Sequence, residues 1–516
     1  MDEKYALTLD VGTQSVRAMI FDRRGNILGV SKKKYPSTGF SIKSGYLEQH
    51  ADTYYDALCE ALIELKKDHS ELFLNLQSVA LTCFRDTALL VDKDIKPIRP
   101  CILWLDQRIA SIPKFPFFQN MIFSLVGMKN TVVVNRRKTM ARWYQENEKE
   151  NWDKTYKYVN ISAYLNYRFC GELKDSISNT TGHYPIDFKK KRWLKKHQLK
   201  RCVFDVDDDK LCELVDSQVI IGHITKNASL ETGIPEGLPF ISAGSDKSCE
   251  SVGCATINET QAAISYGTAS TIEITSKKYK EPETFLPAYA SSLKGYYNSE
   301  VQIYRGYWML NWFIDEFCPD EKEKYKEDAS LLIPDLIDKI KDVPPGSEGL
   351  ILSPYWGPSL KKPNARGAII GFSDIHNKYY ILRAIIEGIA YSLRDSMETM
   401  EKKFHKKIKV LSISGGGSRS DIICQITADI FGLPIYKVQT EETSSLGAAV
   451  VSFLTTEVYK DPLDALNNMV RKDKIYTPNE ENHKIYDKYF YDVYLKIYPK
   501  LKKMEKTLRK INKSDY

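Results

Sequence analysis

Two turns of matching design stand far apart in this chain, Leu9-Asp-Val-Gly-Thr-Gln-Ser-Val-Arg17 and Ile264-Ser-Tyr-Gly-Thr-Ala-Ser-Thr-Ile272. Phosphate oxygens need backbone N–H groups and hydroxyls at close range, and glycine lets the main chain approach without a Cβ in the way. Gly12 with Thr13, Gln14 and Ser15 supplies such donors on one side, and Gly267 with Thr268 and Ser270 on the other. Asp10, just before the first turn, can face a phosphate only through a cation, which implies Mg²⁺. Between the turns lies Asp246, where an apolar segment over 238–243 breaks at Gly244 and a helical pattern begins. A carboxylate there suits a base that accepts or orients the proton of an attacking hydroxyl. Locally it reads equally as a helix N-cap, and either turn alone as a tight hairpin. A third glycine-rich stretch, Ser414-Gly-Gly-Gly-Ser-Arg-Ser420, puts Gly415, Gly416 and Gly417 between a strand and a helix start. Such a run leaves backbone room for a nucleotide at the helix N-terminus, without matching a P-loop or a dinucleotide fingerprint.

The elements that must hold these groups follow from periodicity. Residues 5–10, 15–22 and 29–34 read as an antiparallel meander, followed by a helix over 53–67 with Tyr54, Leu58, Leu62 and Leu65 at helical spacing. Residues 78–83 read as a short buried strand, and 137–204 mainly as helices and charged loops. The second half repeats the plan. Residues 261–276 form strand, turn, strand; 379–405 a long helix; 409–413 a strand; then a helix to Phe431, a strand over 434–438 and a helix over 443–454. This is an α/β chain of 516 residues, too long for one hydrophobic core. The expected domains are 1–250, 251–475 and a helical tail over 476–516 covering the outside. Two lobes with a cleft between them suit a reaction that excludes water by closure.

Composition narrows the class. The chain is 43% hydrophobic and 27% charged, an ordinary globular balance, and its net charge of +7 is diffuse. Basic runs at Lys189–Arg192 and in the tail from Lys496 to Lys513 read as solvated faces, so no nucleic-acid partner is expected. No basic flank precedes an apolar run at the start and no stretch is long enough to span a bilayer, so neither a signal peptide nor a membrane association is expected. Ten scattered cysteines without a Cys-x-x-Cys pair suit reduced thiols in the cytoplasm, with Cys249 and Cys254 buried rather than ligating a metal.

Taken together, the motifs resemble the FGGY carbohydrate kinase family, which has the actin-like (ribonuclease H-like) two-lobe ATPase fold. The matching pieces are residues 9–18, Gly45-Tyr-Leu-Glu-Gln49, Arg85-Asp-Thr87, Trp104-Leu-Asp-Gln-Arg108, Gly244-Ser-Asp246, Tyr266-Gly-Thr268, Arg383-Ala-Ile-Ile-Glu-Gly-Ile-Ala390, Gly415-Gly-Gly417 and Ser445-Leu-Gly-Ala-Ala449. They run in the family's order along nearly the whole chain. The resemblance implies an ATP- and Mg²⁺-dependent kinase that phosphorylates a hydroxyl of a small sugar or polyol. Asp246 would be the catalytic base, and Asp10, with Asp246, would hold the metal. The turns at Gly12-Thr13 and Gly267-Thr268 would contact phosphates, and the glycine run around Gly416 would lie against the adenosine. The acceptor would sit near Arg85, Asp86, Trp104 and Lys247, and the chain could form a homodimer.

Departures from familiar members bear on the substrate. Glycerol kinases carry Arg-Glu where this chain has Arg85-Asp86, and an amide where it has Lys247; xylulose kinases carry Met-His at the first pair. Arg85 and Lys247 facing the acceptor together would suit an oxygen-rich or anionic sugar derivative. Lys247 paired with Glu250 or Asp86 would merely shape the wall. His183 reads as a loop residue and Arg136-Arg137-Lys138 as a solvated helix start. Other readings of the same motifs are an actin-like ATPase switch and a non-catalytic regulator that binds sugar and nucleotide.

Overall fold

The computed structural model describes residues 4–125, 127–283, 286–356, 362 and 365–511. The chain folds as two compact units, one of residues 1–253, 289–296 and 442–470, the other of residues 254–288, 297–441 and 471–516.

The first unit is built on a six-stranded sheet of β1 (Tyr5–Val11), β2 (Ser15–Phe21), β3 (Ile27–Lys34), β4 (Leu76–Cys83), β5 (Ile220–His223) and β6 (Pro239–Ser245), ordered β5-β6-β4-β1-β2-β3. β1, β2 and β3 form the expected antiparallel meander, and β1 then pairs in parallel with β4, and β4 with β6. Every residue of β1 is buried, as befits a central strand covered on both faces. The helix Asp52–Asp68 lays Tyr54, Tyr55, Leu58, Leu62 and Leu65 into this core along one stripe. Within the stretch expected to be helices and loops, Lys157–Asn160 is a strand paired with Ala88–Val91.

The second unit contains β7 (Gln261–Tyr266), β8 (Ser270–Ser276), β9 (Tyr297–Ile303), β10 (Val410–Ser414), β11 (Ile435–Val438) and β12 (Lys472–Tyr476), ordered β9-β8-β7-β10-β11-β12. The pairing repeats the first unit strand for strand. β7 and β8 are antiparallel, β8 and β9 antiparallel, β7 and β10 parallel, β10 and β11 parallel, β11 and β12 antiparallel. The 27-residue helix Lys378–Phe404 packs here, and Gly388 makes its approach possible: a Cβ there would stand 2.4 Å from the Leu352 carbonyl oxygen.

Two boundaries differ from the sequence expectation. Residues 442–470 pack with the first unit rather than ending a domain at 475. The reason lies in two glycines: a Cβ on Gly447 would lie 1.8 Å from the Cys249 carbonyl oxygen, and one on Gly253 would lie 2.0 Å from that of Thr443. Only a bare backbone lets the helix Thr443–Thr455 seat so closely against Asp246–Gly253. The tail is no separate layer either. Tyr486, Phe490, Tyr494 and Ile497 belong to the second unit's core, and the Tyr486 hydroxyl lies 2.8 Å from Glu387 and 2.9 Å from Arg383. The last five residues assigned to that tail, including Lys513, lie outside the described residues.

Candidate active site

The first turn caps the β1–β2 hairpin, whose register sets Asp10 opposite Arg17. The Gly12 N–H donates to the Ser15 carbonyl at 3.0 Å, the Tyr35 hydroxyl to the Gly12 carbonyl at 2.8 Å, and the Tyr35 N–H to the Gln14 carbonyl at 3.3 Å. The carbonyl oxygens of Gly12, Gln14 and Ser15, which would repel an anion, are thereby engaged. Thr13 is half-buried, Gln14 exposed and Ser15 buried. Behind the tip, Arg17 lies 3.5 Å from Asp10 and 3.1 Å from Glu442. Burial pushes the Asp10 carboxyl up to about 7; Arg17 pulls against this, while the charges of Glu442, Asp246 and Glu250 add to it. Glu442 comes from the other end of the chain, and no local pattern marked it.

Asp246 begins the helix Asp246–Gly253 at the end of β6. The strand does not break at Gly244 as expected; it runs on to Ser245 through a bulge, with Gly244 at φ +133°. A Cβ at Gly244 would meet the Ser292 hydroxyl at 2.1 Å, so glycine is needed to bring Asp246 to its place. The Asp246 carboxylate accepts the Lys247 N–H at 2.8 Å. Burial raises its pKa, against the charges of Lys247 and Arg85, which favour the anion. The Lys247 ammonium is 2.7 Å from Glu250, one of the two pairings expected of it. Cys249 in the same helix is buried, and burial pushes its thiol up to about 12.

The Arg85 guanidinium lies over the Tyr289 ring at 5.7 Å. Asp86 is paired with His183: the His183 N–H donates to Oδ1 at 3.1 Å and Nδ1 lies 2.7 Å from Oδ2. Burial opposes ionisation of Asp86, but the charge and donors of His183, with Arg85, hold its carboxyl below the ordinary value. His183 is therefore no idle loop residue. Trp104 Nε1–H donates to the Thr13 hydroxyl at 3.1 Å, tying its loop to the first turn. Two further motifs lock together behind it: Asp106 accepts the Leu47 N–H at 2.6 Å, and Arg108 lies 2.8 Å from Glu48 with its guanidinium 4.0 Å from the Tyr46 ring. Residues 45–49 and 104–108 are thus tied together around Trp104, with Glu48, Gln49 and Arg108 buried among them. Arg136, Arg137 and Lys138 close the helix Lys129–Lys138 instead of opening one, which suits basic groups near a helix C-terminus.

In the second unit the β7–β8 turn meets the glycine run. Gly415 has φ +79°, and a Cβ on it would lie 2.8 Å from the Tyr266 carbonyl carbon; one on Gly417 would lie 2.6 Å from the Tyr307 ring. Gly416 is exposed. The turn's carbonyls are again engaged, Gly267 by the Tyr307 N–H at 3.1 Å and Thr268 by the Trp308 N–H at 3.2 Å. Thr268 is exposed at the tip. The helix after the run starts at Asp421, one residue beyond a Ser420 cap. Sequence therefore brought Gly267, Thr268, Gly415, Gly416 and Gly417 to one place, as it did Asp10, the first turn and Trp104.

A duplicated sheet of this topology, with a Gly-Thr hairpin in each copy, is the two-domain fold of the actin-like class. Comparison with known proteins gives the family. The N-terminal domain of the FGGY family of carbohydrate kinases matches residues 5–253, and the C-terminal domain of that family matches residues 262–455. The chain belongs to this family: it is an ATP-dependent carbohydrate kinase. Relatives include "Uncharacterized sugar kinase YgcE" of Escherichia coli strain K12, 29% identical, covering 94% of this chain and 92% of that protein. The xylulose kinase of Bacillus subtilis strain 168 is 25% identical, covering 99% of this chain and 100% of that one. The gluconate kinase from Lactobacillus acidophilus shares the fold, with a TM-score of 0.80 at 22% identity over 97% of this chain and 98% of that one. No helix among the described residues is long and apolar enough to cross a membrane.

Proposed function

We propose that this kinase phosphorylates a hydroxyl of a neutral, polyhydroxylated acceptor, a ketose or polyol, with Asp246 as its base. One observation carries this reading. Asp246 opens a helix beside Arg85, with its pKa raised by burial, and the Lys247 charge that could have drawn an acidic sugar is taken up by Glu250 at 2.7 Å. The carboxylate accepts or orients the acceptor proton while the phosphoryl group moves, a step governed more by positioning and charge than by proton abstraction. Arg85, Asp86 and Trp104 orient the acceptor. Gly12, Thr13, Gln14 and Ser15 hold phosphate oxygens, as do Gly267 and Thr268, and Gly415, Gly416 and Gly417 leave room for the adenosine. The similarity to a xylulose kinase supports an acceptor of the ketose type.

The donor set around Asp10 fits Mg²⁺. Burial pushes this carboxyl up to about 7 against the charge of Arg17, with Glu442, Asp246 and Glu250 adding to the rise, and a divalent cation would favour its ionised form. Mg²⁺ is commonly held by one or two carboxylates with phosphate oxygens and water completing its shell. Asp10 and Asp246 are the proposed pair, and the ion would neutralise charge on the transferring phosphoryl group. We further propose a cytoplasmic enzyme, a location suited to ten free cysteines, that acts without a nucleic-acid partner and assembles as a homodimer.

The test is ADP release with Mg²⁺–ATP across pentuloses, hexuloses, polyols and sugar acids, with Asp246→Ala alongside. Turnover on one neutral acceptor that the variant loses is the expected result. ADP release independent of every sugar and untouched by Asp246→Ala would put the ATPase-switch reading in its place. Turnover on sugar acids alone would overturn the neutral acceptor.

A further inference from the structure

Asp86 is one of few non-glycine residues with a left-handed backbone, at φ +58°. That conformation costs an ordinary side chain on the order of 1 kcal/mol and persists only where the surroundings impose it. Here they do. His183 supplies a donor to each carboxylate oxygen, its N–H at 3.1 Å from Oδ1 and its ring Nδ1 at 2.7 Å from Oδ2. Gly182 lets that loop close down, since a Cβ on it would stand 2.5 Å from Asp86 Cγ and Oδ1. Nearby, Thr87 Oγ1, Thr181 Oγ1 and both side-chain polar atoms of Asn160 are buried without a hydrogen-bond partner among the described residues. Buried polar atoms of native proteins are nearly always paired, so unused ones on the residues flanking Asp86 and Gly182, and on the strand end paired with Ala88, leave polar groups for a ligand to engage. The other titratable groups whose charge reaches Asp86 are Arg85, Lys138, Tyr158 and Tyr184, and among these groups His183 is shown contacting both oxygens.

We infer that His183 is a positioning residue for acceptor recognition: it clamps Asp86 so that the carboxylate accepts hydrogen bonds from acceptor hydroxyls in one fixed geometry. This rests on the proposed carbohydrate-kinase reading of the site. A glycine turn that permits the clamp, a strained backbone that needs it, and two donors that make it all serve one orientation. A carboxylate held this way discriminates by geometry, because hydroxyls that meet it off-angle lose most of the bond.

The experiment compares His183→Ala, His183→Gln, Asp86→Asn and the double variant Asp86→Asn/His183→Ala, using the best acceptor of the screen. His183→Ala is expected to raise the acceptor KM about tenfold, the size of one charge-assisted hydrogen bond, with ATP KM and kcat within about threefold. His183→Gln, whose amide can still donate to the carboxylate, recovers most of that loss. In the Asp86→Asn background, His183→Ala adds nothing further, since the two residues act as one unit. An unmoved acceptor KM, an equal effect of His183→Ala in both backgrounds, or a parallel rise of acceptor and ATP KM with a falling Tm would each overturn the clamp. Wild-type enzyme with no carbohydrate-dependent turnover would remove the underlying reading and this role with it. Wild-type turnover with no effect of His183→Ala removes the clamp alone.

Discussion

The two Gly-Thr hairpins are the same backbone device with different chemistry behind it. Each is an antiparallel pair whose first strand continues the sheet through a parallel neighbour, β4 in one unit and β10 in the other. Each has its turn carbonyls engaged by donors, from Tyr35 in the first and from Tyr307 and Trp308 in the second. Two residues before the glycine they part. The first has Asp10, with Arg17 and Glu442 next to it; the second has Ser265, a buried neutral hydroxyl. The backbone plan therefore supplies an anion-tolerant tip in both copies, and one side-chain position decides whether charge chemistry accompanies it. The first unit also holds Asp246, and the second instead packs the Gly415 run against its turn. Under the proposed function, reaction belongs to the first copy and nucleotide recognition to the second.

That division is broken most directly at Asp246. Asp246→Asn keeps the shape of the site and removes the base, and sugar-dependent kcat should fall about a thousandfold, as for other positioned acid–base groups. Retained turnover within tenfold would mean that the carboxylate serves only as a helix start. Next come the paired positions before each glycine. Asp10→Asn is expected to cost about a hundredfold in kcat/KM for Mg²⁺–ATP, while Ser265→Ala costs no more than about threefold. Equal losses at the two would erase the distinction between the hairpins.

Asp10 also makes a stability prediction with a definite sign. Its folded-state pKa is raised from 3.8 to about 7, so the metal-free folded protein binds that proton more tightly than the unfolded chain. Stability from this group is complete below about pH 4 and is lost as pH rises through about 7. Metal-free Asp10→Asn lacks that slope, so at pH 8 it should gain on the wild type by up to about 4 kcal/mol relative to their difference at acid pH. Urea denaturation at both pH values with a chelator present reads this. A wild-type slope unchanged by the substitution would show that Asp10 titrates normally.

In the second copy the corresponding change is steric. Gly415→Ala introduces a Cβ 2.8 Å from the Tyr266 backbone at a residue with φ +79°, and should cost about 1–3 kcal/mol in stability. The ATP KM should rise about tenfold while the acceptor KM holds. A rise confined to the acceptor would move recognition of the nucleotide elsewhere.

What the sequence disclosed and what it withheld divide along a physical line. The Gly-Thr turns, the meander and the long helix 379–405 were legible because their signals are local: glycine where backbone must approach, apolar residues at strand or helix period. The groups that complete the site were not, because they arrive from elsewhere in the chain. Glu442 reaches Arg17 only because Gly253 and Gly447 let two helices touch, and nothing in Glu441-Glu442-Thr443 announces that. His183 resembled any loop histidine until Asp86 stood beside it. Chain order also hid the return of residues 442–470 to the first unit, since a helix after a strand reads alike in either domain.

The smallest expected effect is the one that sharpens substrate choice. Lys247 follows the base directly, where its charge could serve either the acceptor or the wall. Its ammonium sits 2.7 Å from Glu250, whose side chain is 9% exposed, so that charge already balances a buried carboxylate. Lys247→Gln should therefore leave the order of preferred acceptors unchanged and kcat within about threefold, with about 1–3 kcal/mol lost from stability as Glu250 gives up its cation. The comparison is made on a ketose and the corresponding sugar acid together. If Lys247 served the acceptor, the substitution would penalise the acid over the ketose by tenfold or more, the worth of a charge-assisted bond. Equal small losses on both would leave Lys247 in the wall, with acceptor recognition resting on Arg85, Asp86 and Trp104.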